Sequence, residues 1–469
     1  MGESNFDVYL HPINHLKSTK LQTMERVFKR KIYDRLLQWK QTRDGKTAIL
    51  IEGARRVGKS TIVEEFAKNE YTSYILIDFN KVSNQVKSLF EDLTDLDFIF
   101  LQLQARFHVV LQERRSVIIF DEVQKCPLAR QAIKYLIKDH RYDYIETGSL
   151  ISIKKNTQDI TIPSEEERIT MHPMDYEEFR WAVWNDESTI PLFRTFLEKR
   201  MPLGVAHRTH MREFRLYMLV GGMPQAVNEY LDTNNLSMVD LVKRDIIQLY
   251  IDDFQKLDPT RRIAYMYKSL PSQLSQTDNR FKPHQVLGQV QSDKLLELMK
   301  DFEDSKTVLF SRHANDPNVG LPFSQDDGRF KIFCSDTGLF VTLAFWDKDY
   351  TENIIYEKLL GDKLSVNLGY VYENVVAQML AASGNNLFYY TWKKERDEKR
   401  KYEVDFLLSR GFKIHPVEVK SSGYKVHTSL DEFCKKYSSV VDKRYLIYTK
   451  DLQKDEEVLM MPVYLTSLI

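Results

Sequence analysis

Cysteine is scarce in this chain, with three among 469 residues. Cys126, Cys334 and Cys434 form no CxxC pair and no Cys/His pair of metal-ligand spacing, which excludes a disulfide-stapled fold and a zinc cage of the usual kind. They read as reduced thiols. Net charge is missing too: Lys plus Arg and Asp plus Glu number 67 each, so no global field commits the protein to a polyanion, and any contact with nucleic acid must be local. The basic stretch Lys393 to Lys401 is interleaved with acids and reads as a solvated hairpin tip. No run of about 18 apolar residues occurs, the first twenty residues lack an apolar h-region, and Asn5-Phe6 leaves the myristoylation pattern after Gly2 incomplete. No membrane partner and a cytoplasmic location are therefore expected.

What is present is a multidomain α/β pattern. To about residue 180, short apolar runs alternate with amphipathic helices, as a parallel sheet covered by helices requires. The expected strands are Thr47–Glu52, Ser73–Asp78, Ser116–Phe120, Tyr142–Thr147 and Arg168–Met171. Residues 181–258 read as a helical lid or connector broken at Gly221-Gly222-Met223-Pro224. Residues 259–345 give helices followed by two strand-like runs, the order of a winged helix. Residues 364–469 give a helix, three strands, a helix and a further strand.

Two motifs carry chemistry. Gly53, Ala54, Arg55, Arg56, Val57, Gly58, Lys59 and Ser60 fit G-x-x-x-x-G-K-[ST], directly after one expected strand and before the helix that Thr61 enters. The glycines let the backbone curl its N–H groups toward phosphates at a helix N-terminus. Lys59 would reach the β- and γ-phosphates and Ser60 would bind Mg²⁺, with Thr61 a helix residue or a weaker phosphate contact. Arg55 and Arg56 read as solvent-facing side chains of the loop. The second motif is the apolar strand ending in Asp121-Glu122, in which Asp121 would hold Mg²⁺ and Glu122 would polarise the attacking water. Thr147-Gly148-Ser149 ends a further strand, and is either a polar contact to the γ-phosphate or a strand-to-loop turn.

GARRVGKST, VIIFDEVQ and ETGSL, followed by HPMDYEEF and LVGGMPQAV, resemble the prokaryotic AAA+ ATPases that carry a nuclease-like C-terminal half of unknown function. The resemblance spans nearly the whole chain. It implies a P-loop AAA+ core at 1–180 that binds and hydrolyses ATP with Mg²⁺, and a polar sensor at Thr147 or Ser149. The family often shows Gly-Arg before the HPMDYEEF segment where this chain has Glu165 to Arg168, so Arg168 is a phosphate-sensing arginine or a surface ion pair.

The C-terminal half resembles the PD-(D/E)xK, or restriction-endonuclease-like, core. Asp405 and Glu418 would hold Mg²⁺, Lys420 would orient the water, and Glu373 on the preceding helix would support the metal. Residues two apart in a strand share a face, so Glu418 and Lys420 project together. Two readings stay open: an ATPase coupled to a module that binds DNA or RNA, and a nucleotide-switched scaffold that binds protein and cuts nothing. A homo-oligomer and a monomer are both compatible with the sequence.

Overall fold

The computed structural model describes residues 26–148, 163–350, 353–360, 368–394, 397–454 and 457–469. Ser149, the first twenty residues and the centre of the 393–401 stretch lie outside them. Among the described residues no helix is long and apolar enough to cross a membrane.

The first layer is a five-stranded sheet of β1 (Ala48–Glu52), β2 (Ser73–Asp78), β3 (Ser116–Asp121), β4 (Asp143–Gly148) and β5 (Glu166–Thr170), ordered β2-β3-β4-β1-β5. Every pair is parallel. Helices cover both faces, which is why the strands are continuous apolar runs. Alternation still sorts the side chains. Ile49, Ile51, Val117, Ile119 and Ile145 enter one core with Ile62, Val63 and Phe66 of helix Lys59–Glu70. Ala48, Leu50, Ile118 and Phe120 enter another with Ala129, Ile133 and Leu136 of helix Pro127–Asp139. The observed strands overlap the expected ones; β3 extends one residue to Asp121 and β5 begins two residues early, at Glu166.

A run of helices follows: Tyr176–Trp184, Thr189–Lys199, Ala206–Val220, Pro224–Thr233 and Leu236–Leu257. The expected break at Gly221-Gly222 has a packing cause. A Cβ on Gly222 would lie 2.1 Å from the Met174 carbonyl oxygen, and one on Gly338 would lie 2.6 Å from Gly221 Cα. Fully buried Asp336 closes this crossing by accepting from the Gly222 amide at 2.6 Å and the Leu339 amide at 2.8 Å. Three segments distant in sequence, at Met174, Gly222 and Asp336, are thereby pinned together.

Helices Arg262–Leu274, Pro283–Leu287 and Ser292–Asp304 precede the antiparallel pair β6 (Val308–Ala314) and β7 (Gln325–Cys334). This is the element order expected for 259–345, but the hairpin does not stand apart as a wing. β6 pairs in parallel with β8 (Leu387–Lys394), giving its open edge a hydrogen-bonding partner. The resulting eight-stranded sheet continues through β9 (Asp397–Arg410), β10 (Lys413–Lys420), β11 (Tyr445–Tyr448), β12 (Gln453–Lys454) and β13 (Leu459–Pro462). Strands β8 to β10 are antiparallel, and β11 lies parallel to β10. Helix Gly369–Ala382 contributes Val375, Val376 and Met379 to the core that also contains Ile49 and Ile51. Helix Thr428–Lys436 packs on the other sheet face, with Leu430 and Phe433 against Val404 and Leu407. One apolar core therefore runs from the five-stranded sheet through the helices to the eight-stranded sheet.

Candidate nucleotide site and C-terminal acidic cluster

β1 delivers Gly53, where a Cβ would meet the Met171 carbonyl oxygen at 2.4 Å; the chain leaving β5 approaches too closely for any side chain. Gly58 closes the loop at φ 98°, in the region that favours glycine. Lys59 opens the helix, nearly buried, and donates to the Gly53 and Ala54 carbonyls at 3.0 and 2.9 Å. Burial pulls its pKa down to about 8, with Arg55 adding to the fall and Glu122 and Asp121 opposing it. Arg30, upstream of the loop, donates to Val57 and His172 carbonyls at 2.8 and 2.6 Å and pairs with Glu178 at 3.1 Å. It ties the loop to the HPMDYEEF segment. No periodicity marks Arg30 in the sequence, so it was missed there.

β4 separates β1 from β3, which brings Thr147 beside the acids at the end of β3. Ser60 Oγ donates to Asp121 Oδ1 at 2.8 Å, and the Thr147 hydroxyl donates to the same oxygen. Glu122 takes φ 54° and ψ 46°, a left-handed conformation uncommon outside glycine. Its carboxylate accepts from Gln124 Nε2 at 2.5 Å. Strain of this kind concentrates at working sites. Arg168 pairs with Glu166 at 2.7 Å and lies 3.9 Å from Glu52, the ion-pair arrangement of its two readings.

Two cavities share Arg55, Lys59 and Glu122. One, of about 290 Å³, adds Phe28, Met174, Pro224, Gln225 and Asn228 to Gly58, Ser60 and Thr61. The other, of about 230 Å³, adds Gln124, Tyr250, Asp253, Ser305 and Thr307. The second is closed by helix Leu236–Leu257. Tyr250 Oη donates to the Arg55 carbonyl at 2.8 Å, and Arg55 Nη1 pairs with Asp253 at 3.0 Å. Near its start the same helix meets the region after β7. Thr342 and Tyr356 hydroxyls donate to Asp240 Oδ1 at 2.6 and 3.1 Å, and buried Lys243 donates to the Leu219 and Gly338 carbonyls at 2.6 and 3.2 Å. At 22 residues it is a rod of about 33 Å.

The C-terminal residues gather, but around a lysine. Lys331 of β7 is fully buried, with Nζ 2.6 Å from Glu403 and 3.6 Å from Glu373. Burial alone would lower its pKa; Glu403, Glu373 and Asp405 outweigh burial and raise it. Burial, then Glu373, pushes Asp405 well above the usual carboxylate range, and burial raises Glu373 against the pull of Lys331. Each acid is already engaged. Asp405 accepts from the Val419 amide at 2.7 Å, Glu373 from Asn279 at 2.9 Å, and Glu418 from the Leu430 amide at 3.2 Å. Glu418 also pairs with Lys420 at 2.7 Å, the shared strand face expected of them. Among the described residues no group of three or more His, Cys, Asp or Glu is arranged to hold a metal ion. In this arrangement Asp405 accepts one backbone amide on Oδ2 and Glu418 is engaged on both oxygens, so a Mg²⁺ ion between them would have to displace the Lys420 ion pair.

Residues 45–180 match the family described as AAA domain. The chain carries a P-loop AAA-type ATPase domain. Residues 211–350 and 368–466 match two domains of unknown function, DUF8612 and DUF4143. Among curated proteins, 145 residues are 25% identical to the inhibitory regulator protein IRA1 of Saccharomyces cerevisiae; they are 30% of this chain, which spans 4% of that protein's length. Among solved structures, the Walker-type ATPase PABY2304 of Pyrococcus abyssi is 15% identical, with 68% of this chain and 97% of that one covered and a TM-score of 0.42. The RuvB Holliday junction branch migration motor of Thermotoga maritima is 10% identical, with 61% and 90% covered and a TM-score of 0.27.

Within the AAA domain the donor set fits a nucleotide and a hard cation. Ser60 and Asp121 offer a hydroxyl and a carboxylate oxygen, the chemistry Mg²⁺ takes when bridging phosphates. Phe28, Met174 and Pro224 offer apolar surface and Gln225 and Asn228 offer amides, a combination suited to an aromatic base. Glu122 lines the same cavity, where its carboxylate can accept a proton from water.

Proposed function

We propose that the protein is an ATP-driven switch. Its AAA domain binds and hydrolyses ATP, and helix Leu236–Leu257 passes the nucleotide state to a nuclease-like C-terminal module at 364–469 that engages a protein partner without cutting phosphodiesters. The observation that carries this reading is the double anchoring of that helix, by Tyr250 and Asp253 on the P-loop and by Asp240 and Lys243 on the segment after β7. Lys59 would neutralise phosphate charge, Ser60 and Asp121 would hold Mg²⁺, Glu122 would take the proton of the attacking water, and Thr147 would fix Asp121. Bound Mg²⁺ supplies charge neutralisation at the β- and γ-phosphates. Lys331 among the C-terminal acids supports a module whose charges are satisfied internally.

A second reading has the module bind and cleave DNA or RNA with Mg²⁺, residues 259–345 acting as a winged-helix reader. The gathering of Glu373, Asp405, Glu418 and Lys420 in one helix–strand–strand unit favours it. One experiment separates the two. Hydrogen exchange is followed at Thr337–Leu343 for wild type and Glu122→Gln with ATP or ADP, and nucleic-acid integrity is followed in Mg²⁺ for wild type and Asp405→Ala. A switch protects Thr337–Leu343 differently in ATP and ADP and leaves nucleic acid intact; cleavage that disappears in Asp405→Ala would establish the second reading.

A further inference from the structure

The AAA domain presents one strong cation, Lys59, from its P-loop helix, whereas phosphoryl transfer spreads charge over three γ-oxygens and profits from a second cation beside them. Many enzymes of this class take that cation from another chain. Here one stands inside the loop. Arg55 lines both cavities together with Lys59 and Glu122, and it is close enough to Lys59 to help lower that lysine's proton affinity. Its side chain is about half exposed and its guanidinium is held by a single carboxylate, Asp253 of helix Leu236–Leu257, at 3.0 and 3.1 Å. Its backbone is fixed independently, by Tyr250 on its carbonyl oxygen. A half-exposed cation on a separately held main chain, paired to one acid beside the phosphate cavity, has the properties of a finger. The neighbouring Arg56 lacks them: it lines the 290 Å³ cavity and another away from Asp253, but not the cavity that contains Gln124.

We propose that Arg55 is the arginine finger of this ATPase, supplied in cis, and that Asp253 is its positioning residue, exchanged for the γ-phosphate when ATP binds. This rests on the ATPase reading above. As the water oxygen bonds to the γ-phosphorus, the bond to the β,γ-bridging oxygen breaks, ADP leaves with that electron pair, and Glu122 takes the water proton. Arg55 faces the negative charge growing on the γ-oxygens and on the bridging oxygen. The exchange leaves Asp253 paired only with Lys256 of its own helix, so the end of helix Leu236–Leu257 loses a P-loop contact only when the γ-phosphate is present. Hydrolysis and the helix thereby use the same ion pair.

The test measures kcat and KM for ATP across a range of protein concentrations for wild type, Arg55→Ala, Arg55→Lys and a 1:1 mixture of Arg55→Ala with Glu122→Gln. Affinity for ADP with and without aluminium fluoride is measured for each chain. Arg55→Ala is expected to lose at least about 10²-fold in kcat with KM changed less than about threefold, and Arg55→Lys to restore only part of it. The mixture is expected to stay as inactive as its components, and wild-type kcat to be independent of concentration. Arg55→Ala is also expected to weaken ADP with aluminium fluoride far more than ADP alone. Activity regained in the mixture would assign the finger to a second copy and overturn the proposal, as would equal weakening of both ADP complexes. A wild type that binds nucleotide without turnover but shows the aluminium-fluoride difference would retain Arg55 and remove hydrolysis. One that binds no nucleotide would remove both.

Discussion

Of the lysines buried beside carboxylates among the described residues, Lys59 and Lys331 are driven in opposite directions by their environments. Lys59 sits at the rim of a cavity, donates its hydrogen bonds to two backbone carbonyls, and has its pKa lowered to about 8. Lys331 lies between β7 and the C-terminal strands, pairs with Glu403 and Glu373, and has its pKa raised. The first is a cation whose charge the fold leaves under-compensated, so an incoming phosphate has something to gain. The second has its counter-charges built in. In sequence Gly-Lys-Ser and Phe-Lys-Ile each show a single lysine, but only the unspent charge is a binding site. A carboxylate or ammonium already satisfied inside the protein must break a bond before it can serve a ligand.

The largest effect that would sharpen this contrast is on function at one lysine and on stability at the other. Lys59→Ala is expected to lower kcat/KM for ATP at least about 10³-fold while urea denaturation shows no loss of stability, since a charge held against burial stabilises nothing. A stability loss there would merge the two cases. Lys331→Met is expected to do the reverse and cost about 3–5 kcal/mol at pH 7, because it strands buried acids without their cation. That cost is expected to shrink toward pH 5, as Asp405 and Glu373, both raised, take up protons. A pH-independent cost below about 1 kcal/mol would mean that Lys331 is merely packed there.

Asp405→Asn probes the same cluster more gently. The folded-state pKa of Asp405 lies above its unfolded value of about 3.9, so between the two the folded chain holds more protons and stability falls as pH rises. Asparagine removes that fall and can still accept from the Val419 amide. Its melting temperature at pH 7 is expected to rise by about 2–4 °C, with or without Mg²⁺. A Mg²⁺-dependent rise in the wild type that Asp405→Asn abolishes would restore the metal reading.

How much of this was legible follows from where the information lies. The nucleotide site was readable because strand, loop and helix are consecutive, so Gly53 to Ser60 and Asp121-Glu122 declare themselves at short range. Strand ends shifted by a residue or two, as Asp121 shows by joining β3. Lys331 was not readable: in FKIFC it looks like the polar position of an alternating strand, and only the pairing of β6 with β8 brings β7 to Glu403 of the same sheet and Glu373 of the helix packed on it. The same pairing drew the expected wing into the C-terminal sheet. Asp336 and Arg30 act between segments more than 100 residues apart, a distance over which no local pattern extends.

The smallest effect concerns the proton on Lys59. In the free protein it is half lost near pH 8, whereas phosphates beside the ammonium favour the charged form. Above about pH 8, binding ATP therefore requires the protein to take up a proton, and each further pH unit weakens binding by up to about tenfold. Below pH 7 the lysine is charged in both states and contributes no dependence. Calorimetry in two buffers of different ionisation enthalpy is expected to detect proton uptake on ATP binding at pH 9 and its absence from this source at pH 6.5. Equal uptake at both values would place the titrating group elsewhere, and the Lys59 side chain would then be no more poised for an anion than Lys331.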